Sequence, residues 1–495
     1  MSELVTTAQM RAIEAAAIAS GAVSGEQLIE SAAAGVVEAI ARELPDLVAG
    51  RVVVLAGPGN NGGDGFAVAR LLHQAGWAVR VFQYAAPVQM PPDAEAMRVR
   101  WRALGPVADF GAFDANAGDF DLVVDALFGI GMSRPMPPTP QAEALRTLRP
   151  RLVAIDLPSG LDADTGALVE PALTASLTVT FHAAKPGHYL GAGPQSCGRL
   201  VVADIGLTPE AATALTRLLD APSTPLAKSP YAHKFQHGHA MILAGGSGRG
   251  GAARLAARAA LRMGAGLVTL ACPQAALAEN AARLDAVMLV ALADGYSLRG
   301  ILADVRINAL ALGPGLGLAR AREMVPVALS LRRATVLDAD ALSAFEEAPD
   351  NLFERLHADA VLTPHLGEFA RLFPDLAARL GTAGYSRLDA VRAAAQRAGC
   401  TVLLKGADTV IANAEGQSAL HAAAYGRAAP WLATAGAGDV LTGMIAGLLA
   451  RGAAPMQAAE TAAFLHVEAA RSFGPGLIAE DLPEALPGVL RTLGA

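Results

Sequence analysis

Two groups of residues in this sequence have the types and spacing to do chemistry. One lies in ATAGAGDVLTGMIAGLL (433–449). Gly436, Gly438 and Asp439 stand at the start of a long apolar stretch that reads as a helix, so the backbone amides there form an anion hole for a transferring phosphoryl group. Asp439 is then placed to take a proton from a substrate hydroxyl as general base; the plainer alternative is an aspartate that only caps the helix. Just upstream, LLKGADTVIA (403–412) ends an apolar run in Lys405, and a lysine kept at the end of a buried strand usually has an anionic partner. The other group lies in the first half. Asn61, Asp125, Asp156 and Ser159 each follow an apolar β-rich run. Ligands of open parallel sheets bind outside the carboxyl ends of the strands, so these four are expected to converge. One carboxylate with amide, hydroxyl and carbonyl oxygens suits a hard monovalent cation. A second carboxylate is then free for proton transfer. Taken singly, each aspartate is as readily a turn or cap residue; four polar groups at strand ends make pure capping less fitting.

The glycine-rich turns are less specific. GPGNNGGDG (57–65) fits GxGxxG through Gly57, Gly59 and Gly62. Two details disagree with a dinucleotide-binding turn: the next strand ends in Gln83–Tyr84 rather than an acidic residue, and Asp64 is badly placed beside a pyrophosphate. The turn reads as a phosphate- or substrate-approach loop of another kind, because five glycines in nine residues exceed what turning needs. LAGGSGRGG and LGPGLG (312–317) are weaker signals of the same sort, and TPHLGEFARL (363–372) puts His365 and Glu368 at a strand-to-helix junction where a lone histidine is more often a turn or capping residue than a ligand.

The elements that position these residues repeat one pattern: a short β-rich run, a Gly/Asp/Pro turn, an Ala/Leu-rich helical stretch. RVVVLAG, WAVRVFQY, DLVVDALFG, RLVAIDLPSG, LTVTFHAAKPG and GRLVVADIGL read as strands of the first half, with FAVARLLHQAG (66–76) as a helix. HAMILAG, LVTLACP, ALALGPG, ATVLDAD, AVLTPH and TVLLKGADTVIAN read as strands of the second, with AARLAARAALRMGAG (252–266) and GDVLTGMIAGLLARG (438–452) as helices. Strands alternating with helices predict βαβ units and mostly parallel sheets. Between the two series, APSTPLAKSP marks a Pro-rich segment expected to be a linker with a short helix in it. The chain has 495 residues, 53% of them hydrophobic and 17% charged, which excludes a disordered chain. The net charge of −7, with no basic tract, argues against nucleic acid as the main partner. Cys197, Cys272 and Cys400 form no CxxC pair, so neither disulfide framework nor zinc site is expected and a reducing compartment fits. MSELVTTAQM has no basic segment followed by an apolar core, and the apolar stretches are broken before membrane-spanning length; a cytoplasmic protein without signal peptide or membrane partner is the expectation.

GPGNNGGDGF, DALFGIGMSRP, AIDLPSGLDADTG and TVTFHAAKPGHYLGAG closely resemble the N-terminal domain of bacterial bifunctional NAD(P)H-hydrate repair enzymes, over nearly all of residues 8–215. HKFQHGHAMILAGGSG, GAARLAARAALRMGAG, LGPGLG, TPHLGEFARL, KGADT and ATAGAGDVLTG occur in the order of the dehydratase domain of the same enzymes, over about residues 225–490. KGADT with GAGD also resembles the wider ribokinase-like superfamily. The resemblance implies an N-terminal Rossmann-like three-layer α/β/α epimerase domain (1–215), a linker (216–232) and a C-terminal ribokinase-like α/β dehydratase domain (233–495). It implies epimerisation of NADHX and NADPHX at C6, then phosphorylation of the C6 hydroxyl and elimination of phosphate, with ADP as donor, AMP as product and Mg2+ as counter-ion. By resemblance, Asn60, Asn61, Gly62, Gly63 and Asp64, with Gly129, Ile130, Gly131, Met132, Ser133, Arg134 and Pro135, line the epimerase site. Asn61, Asp125 and Ser159 hold K+, and Asp156 contacts the substrate and is the acid/base. In the second half Ala253, Gly317, His365 and Asp439 contact the hydrated cofactor, while Lys405, Gly406, Ala407, Asp408, Thr409 and Gly438 contact the adenine nucleotide. Two positions depart from the family pattern: Phe235 follows His233–Lys234 where glycine is usual, and Ala429–Pro430 stand where an asparagine is common.

A homo-oligomer acting on small molecules is the expected assembly. Two other readings compete. A ribokinase-type small-molecule kinase with an accessory domain explains KGADT and GAGD but leaves the first-half residues idle. A non-catalytic N-terminal binding scaffold leaves unexplained why Asn61, Asp125, Asp156 and Ser159 are all polar at strand ends.

Overall fold

The computed structural model describes residues 2–84, 89–114, 120–131, 139–147, 151–169, 172–207, 216–382 and 384–495. They form two compact units, one chiefly Glu3–Leu215, the other chiefly Thr216–Thr382 with Arg387–Ala495.

The N-terminal unit is built on a seven-stranded sheet in the order Val107–Asp109, Ala78–Gln83, Arg51–Ala56, Leu122–Ala126, Arg151–Ile155, Leu177–Phe181, Arg199–Ala203, every pair parallel. Both faces are covered, which is why the strands read as unbroken apolar runs rather than alternating ones. Val52 and Val54 pack with Ile29, Phe66 and Met97 on one side; Val53 and Leu55 pack with Phe82, Phe110 and Leu145 on the other. This is the Rossmann-like three-layer arrangement the sequence predicts. Strand order reverses between Arg51–Ala56 and Leu122–Ala126, and a crevice opens beyond the carboxyl ends at such a switch point.

In the C-terminal unit the strands lie side by side as Thr216–Leu218, Ser418–Ala422, Asp408–Ala412, Thr401–Leu404, Ala360–Leu362, Ala334–Leu337, Ile307–Leu312, His239–Leu243, Leu267–Cys272 and Met288–Ala291. Most pairs are parallel; Thr401–Leu404, Asp408–Ala412 and Ser418–Ala422 form an antiparallel meander. The segment 216–232, expected as a linker, is held by this unit for much of its length. Thr216–Leu218 adds a parallel strand against Ser418–Leu420, the Ser223 amide donates to Thr461 Oγ1 (3.0 Å), and Arg451 donates to the Leu226 carbonyl (2.8 Å). A three-residue strand carries no readable periodicity, so the prolines dominated the sequence signal.

The helix Ala437–Ala450 is apolar on all sides because it is buried on all sides. It lies backbone to backbone on helix Gly251–Arg262: a Cβ on Gly443 would stand 2.0 Å from the Ala256 carbonyl oxygen, and one on Gly447 2.6 Å from that of Ala260. We expect Gly443→Ala to destabilise the C-terminal unit by about 2 kcal/mol or more, since neither backbone can yield; urea unfolding with an unchanged midpoint would contradict this. Among the described residues no helix is long and apolar enough to cross a membrane.

Candidate active sites

In the N-terminal unit the glycine-rich motif is more than a turn. The helix Asn60–Gln74 starts inside it, capped by Gly59. Its glycines permit close approach: a Cβ on Gly62 would meet the Gly57 carbonyl at 2.0 Å, one on Gly63 the Ala94 backbone at 2.8 Å, and one on Gly65 the Ala126 side chain at 2.6 Å. The helix start is thereby pressed onto the switch point, where a cleft of about 790 Å³ opens, its lining including Asn60, Asn61, Asp64, Gly129, Asp156 and Lys185. Ile130 and Gly131 also line it. Gly62 and Gly63, expected at the substrate, are buried and are not among the residues lining the cleft. Met132, Ser133, Arg134 and Pro135 lie outside the described residues.

The four strand-end residues converge on residues 127–130. Ser159 donates its amide to Asp125 Oδ2 and its hydroxyl to Asp125 Oδ1 (both 2.7 Å). The Leu127 amide donates to Asp125 Oδ1 (3.2 Å) and the Phe128 amide to Ser159 Oγ (3.0 Å). A Cβ on Gly129 would stand 2.8 Å from Asp156 Oδ2 and 3.0 Å from Asn61 Oδ1; glycine is needed there for those two oxygens to come together. Burial pushes the Asp125 carboxyl up to about 6 despite its hydrogen bonds from Ser159 and Leu127.

Asp156 is held more tightly than its neighbours. Its backbone is left-handed (φ 68°), a costly conformation for a non-glycine residue. Its amide donates to the Val179 carbonyl (2.7 Å) and its carbonyl faces His188 Nε2 (2.9 Å). The Lys185 amide donates to His188 Nδ1 (2.9 Å), so the His188 proton sits on Nε2 and points at Asp156. Burial and the nearby Lys185 ammonium hold His188 down at about 4, hence neutral. The Asp156 carboxylate accepts from Lys185 Nζ and Thr180 Oγ1 (both 2.9 Å) and from the Ile130 amide (3.0 Å). Burial, the largest single influence, would raise its pKa; the charge and hydrogen bond of Lys185, with His188 and the Ile130 amide, together outweigh it and keep the carboxyl below the ordinary value. Asp64, on the same cleft, is pushed well up by burial and by the charges of Asp156 and Glu14. The two neighbouring carboxyls are thus shifted in opposite directions, Asp156 toward the ionised form and Asp64 away from it, the kind of division that acid–base chemistry uses. Lys185, 1% exposed, was missed in the sequence, although it ends an apolar run as Lys405 does.

In the C-terminal unit Lys405 follows strand Thr401–Leu404, and its partner is Asp338, Nζ to Oδ1 2.5 Å. Thr442, inside the helix Ala437–Ala450, donates to Asp338 Oδ2 (2.8 Å). Glu368 Oε2 lies 3.9 Å from Lys405 Nζ, and a Cβ on Gly438 would be 3.4 Å from it. The ammonium therefore sits at the helix tip that also carries Asp439. Burial, then the Asp338 charge, raise the Asp439 carboxyl to about 6 although Lys405 opposes them. Asp340 acts on Asp439 as well and accepts the Gly317 amide (2.8 Å), which brings Gly317 (φ 87°) into the same neighbourhood. His365 is a helix cap, as the plainer reading has it: Nδ1 accepts the Gly367 and Glu368 amides (3.0 and 3.2 Å), and Glu368 accepts the His365 amide (2.8 Å). Gly406 to Thr409 form a tight turn closed by Thr409 Oγ1 on the Gly406 carbonyl (2.8 Å), with Gly406 and Ala407 exposed and Asp408 beside Arg387 (3.3 Å). Ala253, expected to contact substrate, is fully buried in the core, on the helix that supports Ala437–Ala450. In the loop before that helix, Glu279 accepts the Gly248 amide (2.7 Å). Asp338 and Asp340 went unread because ATVLDAD registers only as a strand.

The family model described as NAD(P)H-hydrate dehydratase matches residues 240–486, and the one described as YjeF-related protein N-terminus matches residues 25–187. A bifunctional NAD(P)H-hydrate repair enzyme of Moorella thermoacetica is 37% identical over 525 residues, covering 99% of this chain and 97% of the relative. The chain belongs to the bifunctional NAD(P)H-hydrate repair enzyme family. An NAD(P)H-hydrate epimerase of Rhodobacter capsulatus is 50% identical over 199 residues, covering 38% of this chain and 92% of the relative. Among solved structures, an ADP/ATP-dependent NAD(P)H-hydrate dehydratase of Bacillus subtilis, co-crystallised with ATP/Mg2+, is 27% identical and covers 55% of this chain and 95% of its own, with a TM-score of 0.45. Members of this repair family are two-domain α/β enzymes with an epimerase and a ribokinase-like dehydratase, and this chain is one.

Proposed function

We propose that the dehydratase reaction runs at the tip of helix Ala437–Ala450 and the epimerase reaction in the 790 Å³ cleft, with residues 1–215 and 233–495 as the two catalytic domains. The observation that carries the first assignment is Asp439 on the first helical turn, its carboxyl raised to about 6, with the Lys405 ammonium at the same tip. In this reading Asp439 takes the proton of the C6 hydroxyl, whose oxygen attacks the terminal phosphorus of ADP and releases AMP. Phosphate then departs with the C6–O electrons as a proton leaves C5, and the nicotinamide double bond returns. The amides at the helix tip, Gly438 among them, hold the phosphoryl oxygens. The Lys405–Thr409 turn, exposed at its middle, receives the adenine nucleotide; Mg2+ supplies charge neutralisation when bound. Gly317 and His365 stand beside this site for the hydrated cofactor.

In the cleft, inversion at C6 needs a proton carried to and from the ring. Asp156 contacts the substrate as the fixed base-form carboxylate, and Asp64, whose carboxyl burial and the charges of Asp156 and Glu14 shift upward, complements it. Asn61, Asp125 and Ser159 would hold K+. The fit is chemical: Asp125 is a buried carboxylate whose hydrogen-bond partners among the described residues are neutral, and oxygen donors from amide, hydroxyl and carboxylate suit a hard monovalent cation. When bound, K+ supplies the compensating charge. The buried free cysteines fit a reducing, cytoplasmic setting.

The test supplies NADHX as mixed epimers with ADP and follows absorbance of the reduced ring. Conversion of both epimers to NADH is expected. Conversion of one epimer only would remove the epimerase assignment. No conversion, with phosphate passed instead to a vitamin-like alcohol, would favour the kinase alternative.

A further inference from the structure

We propose that Asp338 is a positioning residue of the dehydratase, one carboxylate oxygen anchoring Lys405 and the other anchored by Thr442, so that the ammonium is held at the helix tip beside Asp439. The inference rests on the reading of that tip as the phosphoryl-transfer site.

Asp338 is 1% exposed and follows strand Ala334–Leu337. Its backbone is fixed on both sides: its amide donates to the Leu312 carbonyl (3.1 Å), and its carbonyl lies where a Cβ on Gly313 (φ 125°) would be, 1.7 Å away. The side chain then spans two elements. Oδ1 meets Lys405 Nζ at 2.5 Å, and Oδ2 accepts Thr442 Oγ1 at 2.8 Å. Thr442 lies three residues after Asp439 in the same helix. The strand end bearing the ammonium and the helix bearing the base are therefore fixed through one carboxylate.

Lysine carries a point charge on a flexible stem with many rotamers. Left to itself it would not stay 3.4 Å from the Gly438 Cβ direction. Glu368, at 3.9 Å, is too far to hold it by a hydrogen bond. A buried ion pair is weak evidence for stability, but here its geometry brings an ammonium to the place where negative charge builds up on the transferring phosphoryl group, and fixed charge is most effective there. Asp338 also faces Asp439 electrostatically, together with Asp340, Glu368 and Lys405. His365, the cap of the Glu368 helix, and His466, which hydrogen-bonds the Ala437 backbone, complete the titratable surroundings.

The experiment measures ADP-dependent dehydration against pH for wild type, Asp338→Asn, Thr442→Val and Thr442→Ser, with ADP binding and Tm of the same samples as a control for folding of the C-terminal unit. For Asp338→Asn we expect kcat lower by roughly tenfold or more, KM for ADP within about threefold, and the acid limb of the rate profile moved to lower pH. Thr442→Val should move both readings the same way by less, and Thr442→Ser should restore them. A merely structural role would lower kcat together with Tm and ADP binding and leave the acid limb in place; that result overturns the proposal. So does wild-type kcat with an unmoved limb in Asp338→Asn, or Thr442→Val indistinguishable from wild type. A wild-type enzyme without ADP-dependent dehydration would instead sink the underlying reading, and the wild-type arm tells the two failures apart.

Discussion

Asp439→Asn is expected to lower ADP-dependent dehydration by about a thousandfold, the middle of the range for losing a positioned general base. The amide matches the carboxylate in size and the helix Ala437–Ala450 has no side-chain cap to lose, so the helix tip, Gly438 and the Lys405 turn keep their places and ADP binding stays close to wild type. Only the proton acceptor goes. The wild-type rate should rise with pH as Asp439 ionises near 6, and that limb should be missing from the variant. The sign for stability is opposite to that for activity. A carboxyl whose folded pKa is raised binds its proton more tightly in the folded state, so its ionised form works against folding once pH exceeds the unfolded value, and increasingly through about 6. The neutral variant should therefore unfold at no lower temperature than wild type at pH 7. Retained turnover would remove Asp439 from the base role. Lost turnover with a lowered Tm would show that the side chain is structural.

The second large effect concerns Asp156 and Lys185. With side chains 8% and 1% exposed and 2.9 Å apart, neither charge has water to fall back on. Asp156→Asn or Lys185→Met should each destabilise the N-terminal unit by about 3–5 kcal/mol, because an uncompensated buried charge remains. The double variant should recover much of that loss yet still leave one epimer of NADHX unrepaired, since the fixed carboxylate is gone. Differential scanning and the mixed-epimer assay separate the two consequences; full repair by the double variant would exclude Asp156 from the chemistry. Because the folded pKa of Asp156 is depressed, its contribution is complete above the unfolded carboxylate value and is lost as pH falls toward the folded one.

Much of this arrangement was legible from strand ends. Asn61, Asp125, Asp156 and Ser159 each follow an apolar run, and parallel topology does bring them to residues 127–130. Lys405 was expected to need an anion, but its identity was out of reach: Asp338 is 67 residues away in sequence, and only the sheet order makes them neighbours. Lys185 was obscured differently. LTVTFHAAKPG reads as a strand with no signal in its lysine; the structure ends that strand at Phe181, turns at Pro186–His188 and sets His188 against the Asp156 carbonyl. The glycines of 57–65 pointed to the right place for a partly different reason, since Gly62, Gly63 and Gly65 serve helix packing as much as any ligand. The strand Thr216–Leu218 was hidden because two of its three residues, Thr216 and Arg217, are polar and prolines follow closely.

The contact of Gly443 and Gly447 with the carbonyls of Ala256 and Ala260 bears on how the dehydratase can be tuned. Main chain resting on main chain has no rotamers to shift, so the end that carries Asp439 is an anvil. Reactants must be brought to it, and any adjustment during a catalytic cycle falls to the less buried approach before it, where Trp431 is half-exposed. Substitutions there should alter which molecules are admitted, whereas enlarging Ala256 or Ala260 should dislodge the anvil and reduce turnover from a distance.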